Sequence, residues 1–306
     1  MYGKFTELIS NNCLVGSRLC VAAADRDSVG AVAMAMERGL GCSVMTGDEK
    51  LLVPLLEEAG ITDKVEVVHA GTPLDAAEKA VQIARSGRVN GLMKGLVNTQ
   101  DFLRAVLNKE YGLRTGRLLS HMTIMEIPGE NKLSFCTDAG FNVLPDLVQK
   151  KKILRNALEA AAALGYTHVN AACLAANERI DPLMPATADA AAIVEAWKAG
   201  EFNDLPCSCT VEGPMAMDVI ACREAAEHKG IKSEISGNVD MVLVPNIECG
   251  NALCKTLVHY ALAEVAGFVV GASVPIILLS RGESPENKFI AMALSCIISE
   301  GMGGNV

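Results

Sequence analysis

Basic charge, aromatic side chains and long apolar runs are all in short supply in this chain, and each shortage removes a class of function. Its 27 Lys and Arg are outnumbered by 36 Asp and Glu, leaving a formal charge of -9. A field of that sign repels nucleic acid and anionic membrane surfaces, so neither is expected as a partner. An anionic substrate would have to be met by a local basic patch. Aromatic residues make up only 4% of a composition that is 50% hydrophobic, with 27 Gly, a balance suited to α/β layers packed with Ala, Val and Leu. The most apolar stretch, Val265 to Leu279, falls short of the ~20 residues of a helical membrane span. Gly267, Gly271 and Pro275 also interrupt it. Two buried strands explain it better. Met1 to Ser10 mixes Lys4, Glu7 and aromatics instead of a basic-then-apolar signal. A soluble, cytoplasmic protein is expected.

Several catalytic signatures are missing as well. The sequence contains no GxxxxGK[ST], no GxSxG and no HExxH, and Gly39-Leu40-Gly41 lacks the third glycine of a dinucleotide fingerprint. Its five His are scattered without metal-ligand spacing, so no metal site is expected. Nucleoside triphosphate hydrolysis, serine hydrolase chemistry and zinc catalysis lose ground. The eleven Cys form no Cys-x-x-Cys pair, which fits free thiols in a reducing compartment. Cys136, Cys173 and Cys296 lie inside apolar runs and read as small core residues.

What is present is a repeated alternation of short apolar runs and amphipathic segments. Strands are expected at Leu19–Ala23, Ser43–Met45, Val65–Val68, Val89–Met93, Met122–Ile127, Leu133–Cys136, Val169–Leu174, Cys207–Val211, Met241–Val244, Gly267–Val270 and Pro275–Leu279. Helical patterns such as Asp75–Ser86, Asp146–Leu164 and Asp189–Ala199 fall between them. This is the pattern of an α/β protein with largely parallel sheets. With 306 residues and so many strands, two α/β domains are expected. Met122–Cys136 differs: a Pro-Gly-Glu-Asn turn between two runs predicts an antiparallel hairpin.

The stretch from Val242 to Ser284 concentrates polar groups at the ends of buried runs, where open α/β sheets place ligands. Ser280-Arg281 follows the run Val274–Leu279, and Ser284-Pro285 then predicts a helix start with Ser284 as cap. An Arg at a strand tip beside a helix N-terminus suits a dianion. The plain alternative is a surface Arg after an edge turn. Gly250 permits close backbone approach. Asn251, Lys255 and His259 share one helix face at i, i+4 spacing, with Leu253, Leu257 and Tyr260 expected on the core side. Taken alone, Lys255 reads as a solvated charge. Lys94 follows a strand, and Asn98 or Thr99 can cap a helix whose Phe102, Leu103, Val106 and Leu107 pack inward. Arg104 lies off that stripe, the ordinary place of a solubilising charge.

The turn Pro245-Asn246-x-x-x-Gly250-Asn251-x-x-x-Lys255 and the later Ser280-Arg281 resemble the phosphate acetyl/butyryltransferase family, with the butyryl branch the closer match. The resemblance covers nearly the whole chain and is densest from Met93 to Asp101 and from Glu212 to Ser284. It implies the fold of isocitrate and isopropylmalate dehydrogenases: residues 1–116 with 280–306 as one α/β domain, residues 117–279 as a second, and a cleft between them. It also implies reversible acyl transfer between CoA and inorganic phosphate, through a direct ternary complex, by a homodimer or higher homo-oligomer that needs no cofactor. Butyryl or branched acyl groups are the expected preference. Arg281 would hold phosphoryl oxygens and Ser280 would donate to the developing oxyanion. Arg104 corresponds to a second phosphate or CoA contact, with Lys94, Asn246, Gly250, Asn251 and Lys255 around the substrate. Ser120-His121, Thr137-Asp138, Asn142, Glu212-Gly213-Pro214 and Asp218 match further family motifs. Asp138, Glu212 and Asp218 are expected to shape the cleft, because turn carboxylates more often cap than catalyse.

One position departs from the family. Where the acetyl branch has an Asp six positions after its Arg, this chain has Asn287, and a neutral amide is no general base. Glu283 or Glu286 could replace it, or none is needed, since a thiol of pKa ~8.5 is already partly ionised near neutrality. A metal-dependent decarboxylating dehydrogenase and a noncatalytic acyl-CoA sensor are the alternative readings.

Overall fold

The computed structural model describes residues 2–12, 14–278 and 283–303. Along the chain, helix α1 (Phe5–Ser10) leads into β1 (Arg18–Ala22), α2 (Arg26–Glu37), β2 (Cys42–Gly47), α3 (Glu49–Glu58), β3 (Val65–His69), α4 (Pro73–Arg85), β4 (Gly91–Lys94) and α5 (Thr99–Val106). The middle stretch holds β5 (Ser120–Glu126), β6 (Ser134–Thr137), α6 (Leu147–Ala163), β7 (His168–Leu174), α7 (Pro185–Lys198) and β8 (Ser208–Met215). It continues with α8 (Met217–Ala221), α9 (Arg223–His228), β9 (Met241–Leu243) and α10 (Ile247–Tyr260). The chain ends with β10 (Glu264–Val270), β11 (Ile276–Ile277) and α11 (Pro285–Gly301). Each expected strand forms, with ends shifted by a few residues, and the predicted hairpin is the antiparallel pair β5–β6.

The contacts divide the chain into two compact units. A flanking unit combines Thr6–Arg117 with Ala266–Val306. Its strands run in the order β3-β2-β1-β4-β11-β10, parallel throughout except for β10 against β11. The helices begin on side-chain caps: Asp25 for α2, Thr72 for α4 and Asn98 for α5 each accept a first-turn backbone N–H. In α5, Phe102 and Val106 are buried as expected, whereas Leu107 is exposed because it is already the C-cap, and Ala105 takes the inward position.

A middle unit combines Met1–Phe5 with Leu118–Val265. Its strand order is β5-β6-β9-β7-β8, with β6, β9, β7 and β8 mutually parallel. α6 and α7 cover one face: the Cys207 thiol reaches the Leu158 carbonyl, and Gly213 lies against Cys173 and Ala190. The other face carries Cys136, Ala172, Met215 and Val242 against Ile220, Ala226 and Cys254 of α8, α9 and α10. Lys132 and Asp240 fix the start of β9 from within, 2.9 Å apart and almost wholly buried, and Asp240 also accepts from Asn170 N at 2.9 Å. Leu253 and Leu257 pack on the core, but Tyr260 is 87% exposed, contrary to expectation. It is the final residue of α10, and the helix there has run past its apolar support.

Cys136, Cys173 and Cys296 are buried. Burial pushes the Cys173 and Cys296 thiols up to about 12, which keeps them protonated. Among the described residues no helix is long and apolar enough to cross a membrane.

Candidate active site

In the middle unit the parallel strands β6, β9, β7 and β8 end together, and antiparallel β5 begins at that same end. Several expected site residues gather there because the loop after β6 is tied on three sides. Val244 N donates to Thr137 O at 2.8 Å, Ile247 N to Val143 O at 3.0 Å, and the Thr137 hydroxyl to His121 O at 2.8 Å. Asp138 organises the loop from inside. Only 2% exposed, its carboxylate accepts from Gly140 N, Phe141 N, Asn142 N and the Asn142 amide at 2.6–3.2 Å. The Asn142 amide donates in addition to Leu119 O at 2.8 Å. Asp138 is thus committed to its own loop.

Ser120 is fully buried and accepts from the Asn156 amide at 2.9 Å. His121, beside it, packs its ring on Gly140, where an added Cβ would lie 3.1 Å from the imidazole. Its Nδ1 is 3.4 Å from the Thr123 hydroxyl. Desolvation holds its pKa below 6.5, partly offset by the charge of Asp138.

Asn246 caps α10, accepting from Cys249 N at 2.9 Å. Gly250 is needed for packing: a Cβ there would lie 2.7 Å from Val244 Cγ2 and 2.8 Å from Ala139 Cα. The close approach allowed by this glycine is to the loop of Asp138. Asn251 and Lys255 lie exposed on the flank of α10 away from Cys249 and Leu253. Beneath that flank the Cys136 thiol, pushed up by its hydrogen bond to Cys254 and by burial, faces a Cys254 held low by the same bond, by Thr123 and by the Lys255 charge.

Glu212 and Asp218 sit apart from this group. Glu212 accepts from the Ser233 hydroxyl at 2.5 Å and Glu234 N at 2.8 Å, in the wall of an open cavity of about 1120 Å³ that also includes Trp197, Lys229 and Lys232. Asp218 is exposed and pairs with Lys229 at 2.9 Å, which lowers its pKa. A second, mostly apolar chamber of about 930 Å³ lies at the carboxyl ends of β7 and β9, with Asn246 in its lining. Sequence reading found Asn246 but missed the chamber, because most of its wall is Leu, Met, Ala and Pro from segments far apart in the chain. Only the placement of β9 between β6 and β7 creates it.

In the flanking unit, half-buried Lys94 donates to Val97 O at 3.1 Å, and exposed Arg104 pairs with Asp101 at 3.0 Å. Ser284 caps α11 as expected, accepting from Asn287 N, while the Asn287 amide donates to Glu283 at 3.3 Å. Glu286 pairs with Arg38 at 2.6 Å, and that guanidinium stacks 4.6 Å from the Phe289 ring. Glu286 is therefore poorly placed to act as a base. Ser280 and Arg281 lie outside the described residues.

Comparison with known proteins gives these arrangements a family. The model described as "Phosphate acetyl/butaryl transferase" matches residues 24–296, and the chain belongs to this family. Over 278 residues it is 40% identical to a probable phosphate butyryltransferase of Bacillus subtilis, covering 91% of each chain. It is 38% identical over 284 residues to a phosphate butyryltransferase of Clostridium acetobutylicum, covering 92% of this chain and 93% of the relative. Among solved structures, a branched-chain phosphotransacylase of Enterococcus faecalis matches with a TM-score of 0.81 and 28% identity, over 92% of this chain and 99% of that one. The structural neighbours correct one expectation. They are phosphotransacylases, so the α/β class stands but the isocitrate/isopropylmalate dehydrogenase-like assignment does not. Strand-helix alternation fixes the layers and leaves open which α/β arrangement they build.

Proposed function

We propose that this phosphate acyltransferase moves a short-chain acyl group reversibly between CoA and inorganic phosphate, with four-carbon or branched groups preferred over acetyl. The observation carrying this reading is the identity with two phosphate butyryltransferases over more than nine-tenths of the chain. The relatives are transferases by name, which leaves the dehydrogenase and sensor readings without support.

Chemically, a phosphate oxygen must attack the thioester carbon, the tetrahedral oxyanion must be stabilised, and its collapse must break the C–S bond, releasing CoA as thiolate and leaving the acyl group on phosphate. Arg281 is proposed to clamp phosphoryl oxygens with its planar fork, and Ser280 to donate to the oxyanion. Lys255, Asn251, Lys94 and Arg104 are proposed to hold the anionic substrates. Asn246, Gly250, Ser120 and Asp138 act one step back, by fixing the loops and helix start beneath them. Glu212 shapes the wall of the polar cavity, and Asp218 holds Lys229, which also lines it. Asn287 supplies no base and Glu286 is occupied by Arg38, which leaves Glu283, hydrogen-bonded to the Asn287 amide, or the thiol's own acidity to supply the thiolate. No resident cofactor enters this scheme. The protein is further proposed to be cytoplasmic and to work as a homodimer or larger homo-oligomer.

The test is release of CoA thiol from acetyl-, butyryl- and isobutyryl-CoA with and without phosphate. Phosphate-dependent release, highest in kcat/KM for the four-carbon substrates, supports the proposal. Release independent of phosphate would sink the reaction, and equal or better use of acetyl-CoA would sink the preference.

A further inference from the structure

β7 and β9 are neighbours whose following segments leave in opposite directions. The connection after β7 leads to α7 on one face of the sheet, and that after β9 leads to α10 on the other. The crevice between their carboxyl ends is a topological switch point, the position at which open α/β sheets bind ligands. The chamber of about 930 Å³ opens there, within the size range of small-molecule sites.

Its wall takes Leu174 from β7, Met184 and Ala186 from the start of α7, Met217 from α8, and Cys249 and Leu253 from α10. The charged groups that reach it are already engaged. Lys150 and Asp189 pair with each other at 2.6 Å, and Asp146 caps α6 by accepting from Gln149 N at 2.8 Å. Such a wall offers little to a phosphate and much to an apolar group. Of the substrates in the proposed reaction, only one part is apolar: the acyl group with the thioester end of the pantetheine arm. We infer that this chamber receives the acyl end of acyl-CoA and sets which acyl chains are used. The inference rests on the phosphate acyltransferase reading. It also gives the two flanks of α10 different tasks, apolar reception at Cys249 and Leu253 and polar holding at Asn251 and Lys255.

Ala186→Phe adds a ring to the chamber wall. With phosphate present, its kcat/KM for butyryl- and isobutyryl-CoA should fall about tenfold or more relative to acetyl-CoA, the scale on which a hydrophobic pocket discriminates. No loss, or the same loss on all three substrates with an unchanged melting temperature, overturns the inference. A second measurement needs no variant. Cys249 is half-buried in the wall, and its alkylation by a maleimide can be followed by peptide mass mapping separately from the other thiols. Butyryl-CoA should slow labelling of Cys249, and phosphate alone should not. Labelling unchanged by saturating butyryl-CoA counts against the chamber even if Ala186→Phe fails to fold. If the unaltered protein releases CoA from none of the substrates, the reaction itself has failed, and protection of Cys249 by butyryl-CoA then decides for or against binding in the chamber.

Discussion

Gly250 is in contact with Ala139: a Cβ on the glycine would stand 2.8 Å from the Ala139 Cα and 3.0 Å from its Cβ. Helix α10 is thereby seated directly on the loop that Asp138 holds. Ala has the higher helix propensity by ~1 kcal/mol, which on an exposed helix would make Gly250→Ala stabilising. Here the clash with backbone and with Val244 should reverse the sign, for a net loss of about 1–3 kcal/mol in urea unfolding. A gain in stability would show that helix and loop separate easily.

Asp138→Ala should be more damaging. Its carboxylate accepts from three backbone N–H groups and one amide, and removing it strands buried donors. A loss of about 3 kcal/mol or more is expected, read from thermal or denaturant unfolding. Asp138→Asn should recover only part of it, since the amide presents one acceptor oxygen in place of two. Full stability in both variants would remove Asp138 from the loop's architecture.

Lys132→Met leaves Asp240 charged and buried without its cation. Breaking one side of a buried pair costs about 3–5 kcal/mol, and the urea midpoint should drop accordingly. Replacing both residues with apolar ones should recover much of the loss. A double variant no better than the single one would contradict this account.

The pH profile of stability should carry a mark of His121. Its folded-state pKa lies below the unfolded value of 6.5, so the unfolded chain takes up the proton first as pH falls. The stability this residue contributes is complete above pH 6.5 and is lost as pH drops through the folded pKa. His121→Gln should therefore flatten the decline in melting temperature between pH 7 and pH 5, before the carboxylates titrate. An unchanged slope would mean that the imidazole is solvated in the native protein.

Arg281→Lys tests the proposed phosphate anchor. Exchanging a bidentate fork for a point charge should cost about 2–4 kcal/mol of transition-state stabilisation, or ~10²–10³ in rate. Ser280→Ala should lower kcat as well, whereas Lys255→Ala should act mainly on apparent substrate affinity. Steady-state kinetics in both directions, on variants confirmed as folded, decide the matter. Near-normal kcat and phosphate KM for Arg281→Lys would move the anchor elsewhere.

Layering was legible in the sequence because buried strands and their caps are local signals. Apolar runs located each strand, and Asn98 and Ser284 announced the helices they cap. Errors arose where local pattern met an element's end, as at Tyr260 and Leu107, where periodicity continues after the packing partner stops. Residue types at the candidate site were visible, but their tasks were not. Asn246 and Gly250 look like ligand contacts in a linear motif and Asp138 like a cleft-shaping turn carboxylate; in space the side chains of Asn246 and Asp138 close on backbone, and Gly250 packs on Ala139. The apolar chamber was out of reach, since strand order is a long-range property that no window of sequence reports.

The composition of the flanking sheet bears on how the protein is made. β11 is two residues long and inserts between β4 and β10, pairing with both. On a ribosome, β4 is complete by Lys94, but its neighbour is not made until Ile276 and Ile277 emerge. At 5–20 residues per second the edge of Gly91–Lys94 waits on the order of ten seconds or more. An apolar strand edge bare for that long can pair with another nascent chain. Chaperone supply should raise soluble yield, and a truncation that stops before Ile276 should leave the edge open permanently and aggregate.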